Sequence, residues 1–327
     1  MTVMITGGAG FVGLNIAERL VSEGRNVLSY GLEAPPDVFM GQLEGMPGRL
    51  SVEVGDVRDR AALIDAMGRH QVSKLVHGAA VTAGLAREAR EPQVIAAVNF
   101  GGAIEVLEAA MRHGVGRVVQ LGSGAIFGSS VKQEGSLDEE RDAPVPDSLY
   151  GITKYAAERL GVRYRSTRGL DLVVARLGVC FGRWEYDTGV RDTLSIPLHL
   201  TRLAEEGGHA VFCSHLPDDW VYASDVAAAV VTLLDAPSVP RPVYQLASGH
   251  RWSAVQWCER LAAVHPGFSF EVTDDAARAN VGVSAPSPRP PFSIERLRSE
   301  LGFIPRYTES SAFVDYIDWR RDHHAVR

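Results

Sequence analysis

Thr2-Val3-Met4-Ile5-Thr6-Gly7-Gly8-Ala9-Gly10-Phe11-Val12-Gly13 opens the chain as a strand, a turn and the start of a helix. Thr2–Thr6 has the apolar run of a short buried strand. Gly7, Gly10 and Gly13 follow as G-x-x-G-x-x-G. Phe11–Glu23 then places Leu14, Ala17, Leu20 and Val21 at helical intervals. Such a turn suits a pyrophosphate: one glycine permits the tight bend, one admits close backbone approach, and one lets helix and strand pack. The first N–H groups of the helix, at Phe11, Val12 and Gly13, face the anion with the positive end of the helix dipole.

The same rhythm continues. Strands are read at Asn26–Tyr30, Leu50–Val54, Lys74–His77, Arg117–Leu121 and Leu172–Ala175, with helices at Arg58–Met67, Glu91–His113 and Ser148–Arg168. Alternation of this kind predicts an α/β fold, a Rossmann-type doubly wound parallel sheet. Residues 1–176 form that dinucleotide-binding unit. After Arg176 the rhythm breaks. Residues 177–327 are read as a smaller, interleaved substrate lobe, with returns to the sheet near 220–247, Trp220–Tyr222 and the helix Ser224–Leu234 among them. That lobe holds a helix near Ile196–Glu206, strands at Ala210–Phe212, Val243–Leu246 and Phe268–Val272, a helix at Ser253–Val264, and proline-rich Ala285–Pro291.

The 327 residues are 46 % hydrophobic and 22 % charged, an ordinary globular balance. A net charge of −7 argues against a nucleic-acid or anionic-membrane partner. Cys180, Cys213 and Cys258 lack metal-ligand spacing and are expected to be buried, reduced thiols. No metal site is expected. The first residues lack a charged leader, and no apolar run is read as approaching the roughly 20 residues that span a bilayer. A cytoplasmic protein is expected.

Tyr150 and Lys154 share a helix face at four-residue spacing. A phenol titrates near 10, too high for a base at neutral pH, and a lysine cation on its face lowers that value. The pair suits proton transfer. Ser123 ends the fifth strand, at the edge where open parallel sheets bind ligands. Asp56 follows the third strand and is either an adenine acceptor or a helix cap. Small residues in His77-Gly78-Ala79-Ala80 leave room for a cofactor, and His77 itself reads as a packed strand-end histidine.

These segments resemble extended short-chain dehydrogenases/reductases, the NAD-dependent epimerase/dehydratase group. The resemblance rests on Thr6–Gly13, Gly55–Asp59, His77–Ala80, Val98–Gly102, the Ser123 segment, Tyr150–Lys154 and Asp219–Asp225. It implies that Tyr150 is the acid/base, that Lys154 holds the nicotinamide ribose and that Ser123 orients the substrate oxygen. Asn99 would support the active-site architecture or bond to backbone inside its helix. Gly7, Gly10, Phe11, Val12, Gly13, Asp56, Val57, Ala79 and Ala80 would bind NAD, with NADP open. Helices 91–113 and 148–168 would pair in a homodimer.

The chain departs from the family pattern at several points. Gly31 stands where an acidic residue usually ends the second strand, with Glu33 nearby. Val179 replaces the asparagine that holds a sugar nucleotide. Asp218 and Asp219 occupy the place of a diphosphate-binding arginine, and no asparagine precedes Pro197. Arg176-Leu177-Gly178-Val179-Cys180 is similar instead to uronate dehydrogenases, which implies a carboxylate site at Arg191. Thr82, Trp184, His199 and Trp220 are candidate pocket residues. The expected function is hydride transfer at a secondary alcohol of a sugar, sugar acid or polyol. The alternative is a nucleotide-sugar epimerase or dehydratase that retains its NAD.

Overall fold

The computed structural model describes residues 1–128, 135–187, 189, 191–192, 194–213, 217–281 and 290–323. In chain order it runs β1 (Thr2–Thr6), α1 (Phe11–Ser22), β2 (Asn26–Gly31), α2 (Asp37–Gln42), β3 (Arg49–Val54), α3 (Arg60–Arg69), β4 (Val72–His77), α4 (Leu85–Arg90) and α5 (Pro92–Ala96). A π turn at Ala97–Gly101 leads into α6 (Gly102–His113), β5 (Arg117–Ser123), α7 (Leu149–Arg168), β6 (Leu172–Leu177) and β7 (Val179–Phe181). The rest is α8 (Ile196–Glu205), β8 (His209–Cys213), β9 (Pro217–Asp218), β10 (Trp220–Tyr222), α9 (Ala223–Asp235), β11 (Val243–Leu246), β12 (Trp252–Ser253), α10 (Ala254–Val264), β13 (Ser269–Thr273), α11 (Glu295–Leu301) and α12 (Glu309–Asp322).

Seven strands form one sheet in the order β11-β6-β5-β4-β1-β2-β3, and every pairing in it is parallel. Strand side chains alternate between faces. Val3, Ile5, Val119 and Leu121 enter the core shared with α1 and α9, while Met4, Leu28 and Val118 enter the core under α3 and α6. The order reverses between β1 and β4. Open sheets of this type bind ligands at such a switch point, beyond the strand C-termini.

Beyond Arg176, Trp220–Tyr222 does not rejoin the large sheet. It pairs with Val179–Phe181 in a two-stranded sheet, while α9 and β11 return to the main one. A three-residue strand carries too little pattern to name its partner. Around Phe181, the rings of Trp220, Tyr222, Trp252, Trp257 and Tyr316 pack with centroids 5.3–6.3 Å away. Trp184 and Trp220 are therefore core residues rather than pocket lining. Cys180 and Cys258 are buried, whereas Cys213 is half-buried. Of Ala285–Pro291, residues up to 289 lie outside the described set.

The expected helix over 91–113 is one helical run interrupted by the π turn. Contrary to the sequence expectation, Pro92–His113 is long and apolar enough to cross a membrane by length and composition. Packing accounts for that composition. Ala103, Val106, Leu107, Ala109 and Ala110 are buried in the core, while Glu105 pairs with Arg60 and Glu108 with Arg168.

Candidate active site

The glycine turn has the shape its sequence predicts. Gly7 is left-handed (φ +70°), and a Cβ there would stand 2.9 Å from the Ala79 backbone. At Gly13 a Cβ would fall 2.4 Å from the Gly7 carbonyl oxygen, so only glycine lets α1 approach β1 this closely. Gly10 begins α1 with no side-chain cap, and no acidic residue occupies the first turn. The helix thus presents its positive end to an anion. This cradle fits a dinucleotide pyrophosphate.

At the adenosine end, Asp56 is not the helix cap. Asp59 is the cap of α3, accepting from the Ala62 N–H at 3.0 Å. The Asp56 carboxylate accepts from the Arg58 N–H (2.8 Å) and its guanidinium, which holds it below the usual carboxylate range. Val57 is buried and meets Gly102 of α6, where a Cβ would clash at 2.9 Å. Ala79 and Ala80 line the turn after β4. Glu33 is exposed, and its charge acts on the nearby Tyr186 hydroxyl.

Tyr150 sits in the first turn of α7, which Ser148 caps by accepting from the Gly151 N–H at 3.1 Å. A Cβ at Gly151 would fall 2.7 Å from the Ala125 carbonyl. Gly151 therefore lets α7 lie against the turn after β5, and this brings Tyr150 to Ser123. The Tyr150 hydroxyl lies beside Ser123 and Thr82. Ser123 also accepts from the Ala125 N–H at 3.1 Å, so it caps its turn while facing the tyrosine.

Burial raises Tyr150 above its usual value, against the lowering effect of Ser123, Thr82 and the Arg191 charge. The sequence reading assigned that lowering charge to Lys154. Instead Lys154 is buried and donates to the Leu121 carbonyl at 2.6 Å. Burial pushes it down to about 8, opposed by the Glu158 carboxylate one turn on. His77 is buried beside Thr6 (2.8 Å), and burial, with the Lys154 charge, takes it to about 3. It is a neutral packed histidine, as expected.

Asn99 occupies the π turn. Its Oδ1 accepts from the Val81 N–H at 2.7 Å, and its Nδ2 donates to the Val81 carbonyl (3.0 Å) and Thr153 Oγ1 (3.1 Å). It bonds to backbone and ties the loop after β4 to α7.

Arg191 does come to this site. It forms a parallel bridge with Thr82, its guanidinium lies 5.3 Å from the centre of the Phe11 ring, and it pairs with buried Glu185 at 2.9 Å. Glu185 also accepts from the Ser195 N–H and hydroxyl, at 2.7 and 2.6 Å. On β7 the Cys180 thiol acts on Tyr150, while Val179 packs against the aromatic core. Asp219 does not face a diphosphate. It is fully buried and accepts from the Ser248 N–H and hydroxyl and the Phe292 N–H. The Asp218 side chain lies outside the described residues. His199 is half-buried on α8, where burial lowers it. Sequence reasoning assigned no site role to Gly151, Cys180, Glu185 and Tyr186; Gly151 and Cys180 lie inside motifs that it quoted, whereas Glu185 and Tyr186 carried no local signal.

The sequence profile of the NAD dependent epimerase/dehydratase family matches residues 3–247. The chain is similar to dTDP-glucose 4,6-dehydratase of Streptomyces antibioticus, 26 % identical over 335 residues that cover 99 % of this chain and 94 % of that one. It is similar to UDP-glucose 4-epimerase of Lacticaseibacillus casei, 24 % identical over 99 % and 98 % of the two chains. Its fold matches UDP-glucose 4-epimerase of Thermus thermophilus in complex with NAD, with a TM-score of 0.78, 24 % identity and coverage of 98 % and 99 %. These relatives act on nucleotide sugars, which favours the alternative drawn from the sequence over the free-sugar reading, though both are sugar chemistry with NAD. By the profile match over most of its length, the chain belongs to the NAD dependent epimerase/dehydratase family, among the extended short-chain dehydrogenases/reductases.

Proposed function

We propose that this chain removes a hydride and a proton from a ring secondary alcohol of a nucleoside-diphosphate sugar, and that its chemistry ends at that redox step or its reversal. The observation that carries the reading is the Tyr150 hydroxyl, held between Ser123 and Thr82 with a buried Lys154 one turn along the same helix. Bound NAD would supply the hydride acceptor, held by Gly7, Gly10, Phe11, Val12 and Gly13. Tyr150 takes the alcohol proton on its phenolic oxygen. Ser123 and Thr82 orient the sugar oxygen, and the Arg191 charge favours the phenolate.

Elimination of water needs more than this: a base for the carbon-bound proton and an acid for the departing hydroxyl. The turn beside Tyr150 reads Gly124-Ala125-Ile126-Phe127 and brings no carboxyl group. That favours epimerisation or net oxidation over dehydration.

The test supplies NAD with UDP-glucose or dTDP-glucose and follows the sugar by NMR. A C4 epimer or an oxidised sugar is expected. A 4-keto-6-deoxy product overturns the exclusion of elimination, and turnover of free sugar acids alone overturns the nucleotide-sugar reading. That second reading rests on one observation, the Arg191 guanidinium beside Tyr150, which suits a carboxylate. A homodimer is proposed on separate grounds. Val94, Phe100 and Ile152 are exposed on the helices spanning 91–113 and 149–168. Sedimentation as a monomer at micromolar concentration would remove that proposal.

A further inference from the structure

The turn that presents Ser123 to Tyr150 is held from two sides, and one of them comes from far along the chain. On the α7 side, Gly151 lies against the Ala125 carbonyl. On the other side stands Phe292, which is 1 % exposed. A Cβ at Gly124 would fall 2.3 Å from the Phe292 Cζ, so the ring sits directly on the backbone next to Ser123. The Phe127 ring lies 5.6 Å from it, centre to centre. With Ile126, Leu137 and Ala247 these two rings form a small core of their own, apart from the two large ones.

Phe292 is itself fixed through backbone. The Leu137 N–H donates to the Pro291 carbonyl at 2.9 Å, and the Ser293 N–H donates to the Leu137 carbonyl at 2.7 Å. The Phe292 N–H donates to the Asp219 carboxylate, which Ser248 also holds. Buried Asp219 thus anchors the residue that packs on the Ser123 turn. Phe292 lies beyond residues 3–247, which the family profile matches.

We infer that Phe292 is a positioning residue for Ser123: its ring, seated on Gly124, holds the turn in which Ser123 accepts from the Ala125 N–H and faces Tyr150. The inference rests on the role proposed above for Ser123. Its physical basis is packing. Ser123 and Gly124 are consecutive, so the turn cannot shift at Gly124 without moving Ser123. Gly124 has no side chain of its own to fill the space, and close-packed interiors transmit such shifts. A displacement of about 1 Å is enough to slow a reaction roughly 100-fold.

Two measurements on the full chain test this. Amide hydrogen exchange across residues 121–128 reads the turn with no substrate present. Phe292→Ala is expected to speed exchange at Ala125 roughly tenfold or more, with β1 and α1 unchanged. Phe292→Leu, which keeps an apolar filler, is expected to act in the same direction and less strongly. Unchanged exchange in the turn overturns the inference. So does faster exchange spread evenly over the chain in both variants, which would make Phe292 a general core residue. The second measurement is a double-mutant cycle on turnover of UDP-glucose or dTDP-glucose at saturating NAD. Phe292→Leu alone is expected to lower kcat roughly tenfold and to leave the Kd for NAD within about twofold. In a Ser123→Ala background the same change is expected to lower kcat by less than about twofold, because the hydroxyl it positions is already gone. Equal losses in the two backgrounds overturn the inference. If the unaltered chain turns over neither nucleotide sugar, the proposed substrate class fails, and the exchange measurement still decides the role of Phe292.

Discussion

Tyr150→Phe is expected to keep its fold and its cofactor while turnover falls by about 100-fold to 10,000-fold, the usual worth of a positioned acid/base. The change removes one oxygen atom. Its two partners, Ser123 and Thr82, keep other options, since Ser123 already accepts from the Ala125 N–H. The ring remains to fill the same space, so urea unfolding should move little. What is lost is the only phenol in contact with the Ser123 hydroxyl among the described residues. Full turnover by Tyr150→Phe would sink the mechanism for epimerisation and oxidation alike. A companion variant reads the electrostatics. Tyr150 must be ionised to accept a proton, and Arg191 lowers it. Removing that charge in Arg191→Met raises the phenol, so the rising limb of the pH–rate profile should move to higher pH. A limb that stays in place would mean that Arg191 serves the ligand and not the tyrosine.

The contrast between Lys154 and Arg191 shows what the sequence could and could not carry. Tyr150 and Lys154 lie one helical turn apart, and local geometry alone makes them neighbours. Gly7 and Gly13 are equally local, because a left-handed turn and a close helix–strand contact tolerate no Cβ. Arg191 is 41 positions from Tyr150 and arrives only because Thr82 pairs with it across the crevice. No periodicity encodes such a meeting. The same holds for Glu185, which neutralises Arg191, and for Asp219, which reads as a charge in the diphosphate region yet is spent on Ser248 and Phe292 deep in the lobe. The large sheet was legible because long parallel strands alternate with helices. The short strand Trp220–Tyr222 was not, since three residues fit either sheet until the aromatic cluster around Phe181 forms.

Breaking the ion pair beneath α7 is the second large effect. Glu158 and Arg176 are 1 % and 4 % exposed, and both carboxylate oxygens meet the guanidinium at 2.7 Å. The pair joins α7 to β6 directly behind Lys154. Removing one partner of a buried pair strands the other and typically costs about 3–5 kcal/mol. The two single changes should not be equal. Arg176→Met leaves the Glu158 carboxylate with the Lys154 ammonium one turn away to offset it. Glu158→Gln leaves two buried cations, Arg176 and Lys154, with no carboxylate between them. Urea unfolding should therefore rank Glu158→Gln as the more damaging, and the double variant Glu158→Met/Arg176→Met should recover much of the loss. The pH dependence gives an independent check. Folded Lys154 titrates near 8 against its ordinary 10.5, so between those values the unfolded chain binds more protons and stability rises with pH. Glu158 is the group that opposes this depression. In Glu158→Gln the folded value drops further, and the rise in stability should begin below pH 8. A rise that begins at the same pH in both proteins would show that Glu158 holds α7 in place without setting the charge of Lys154.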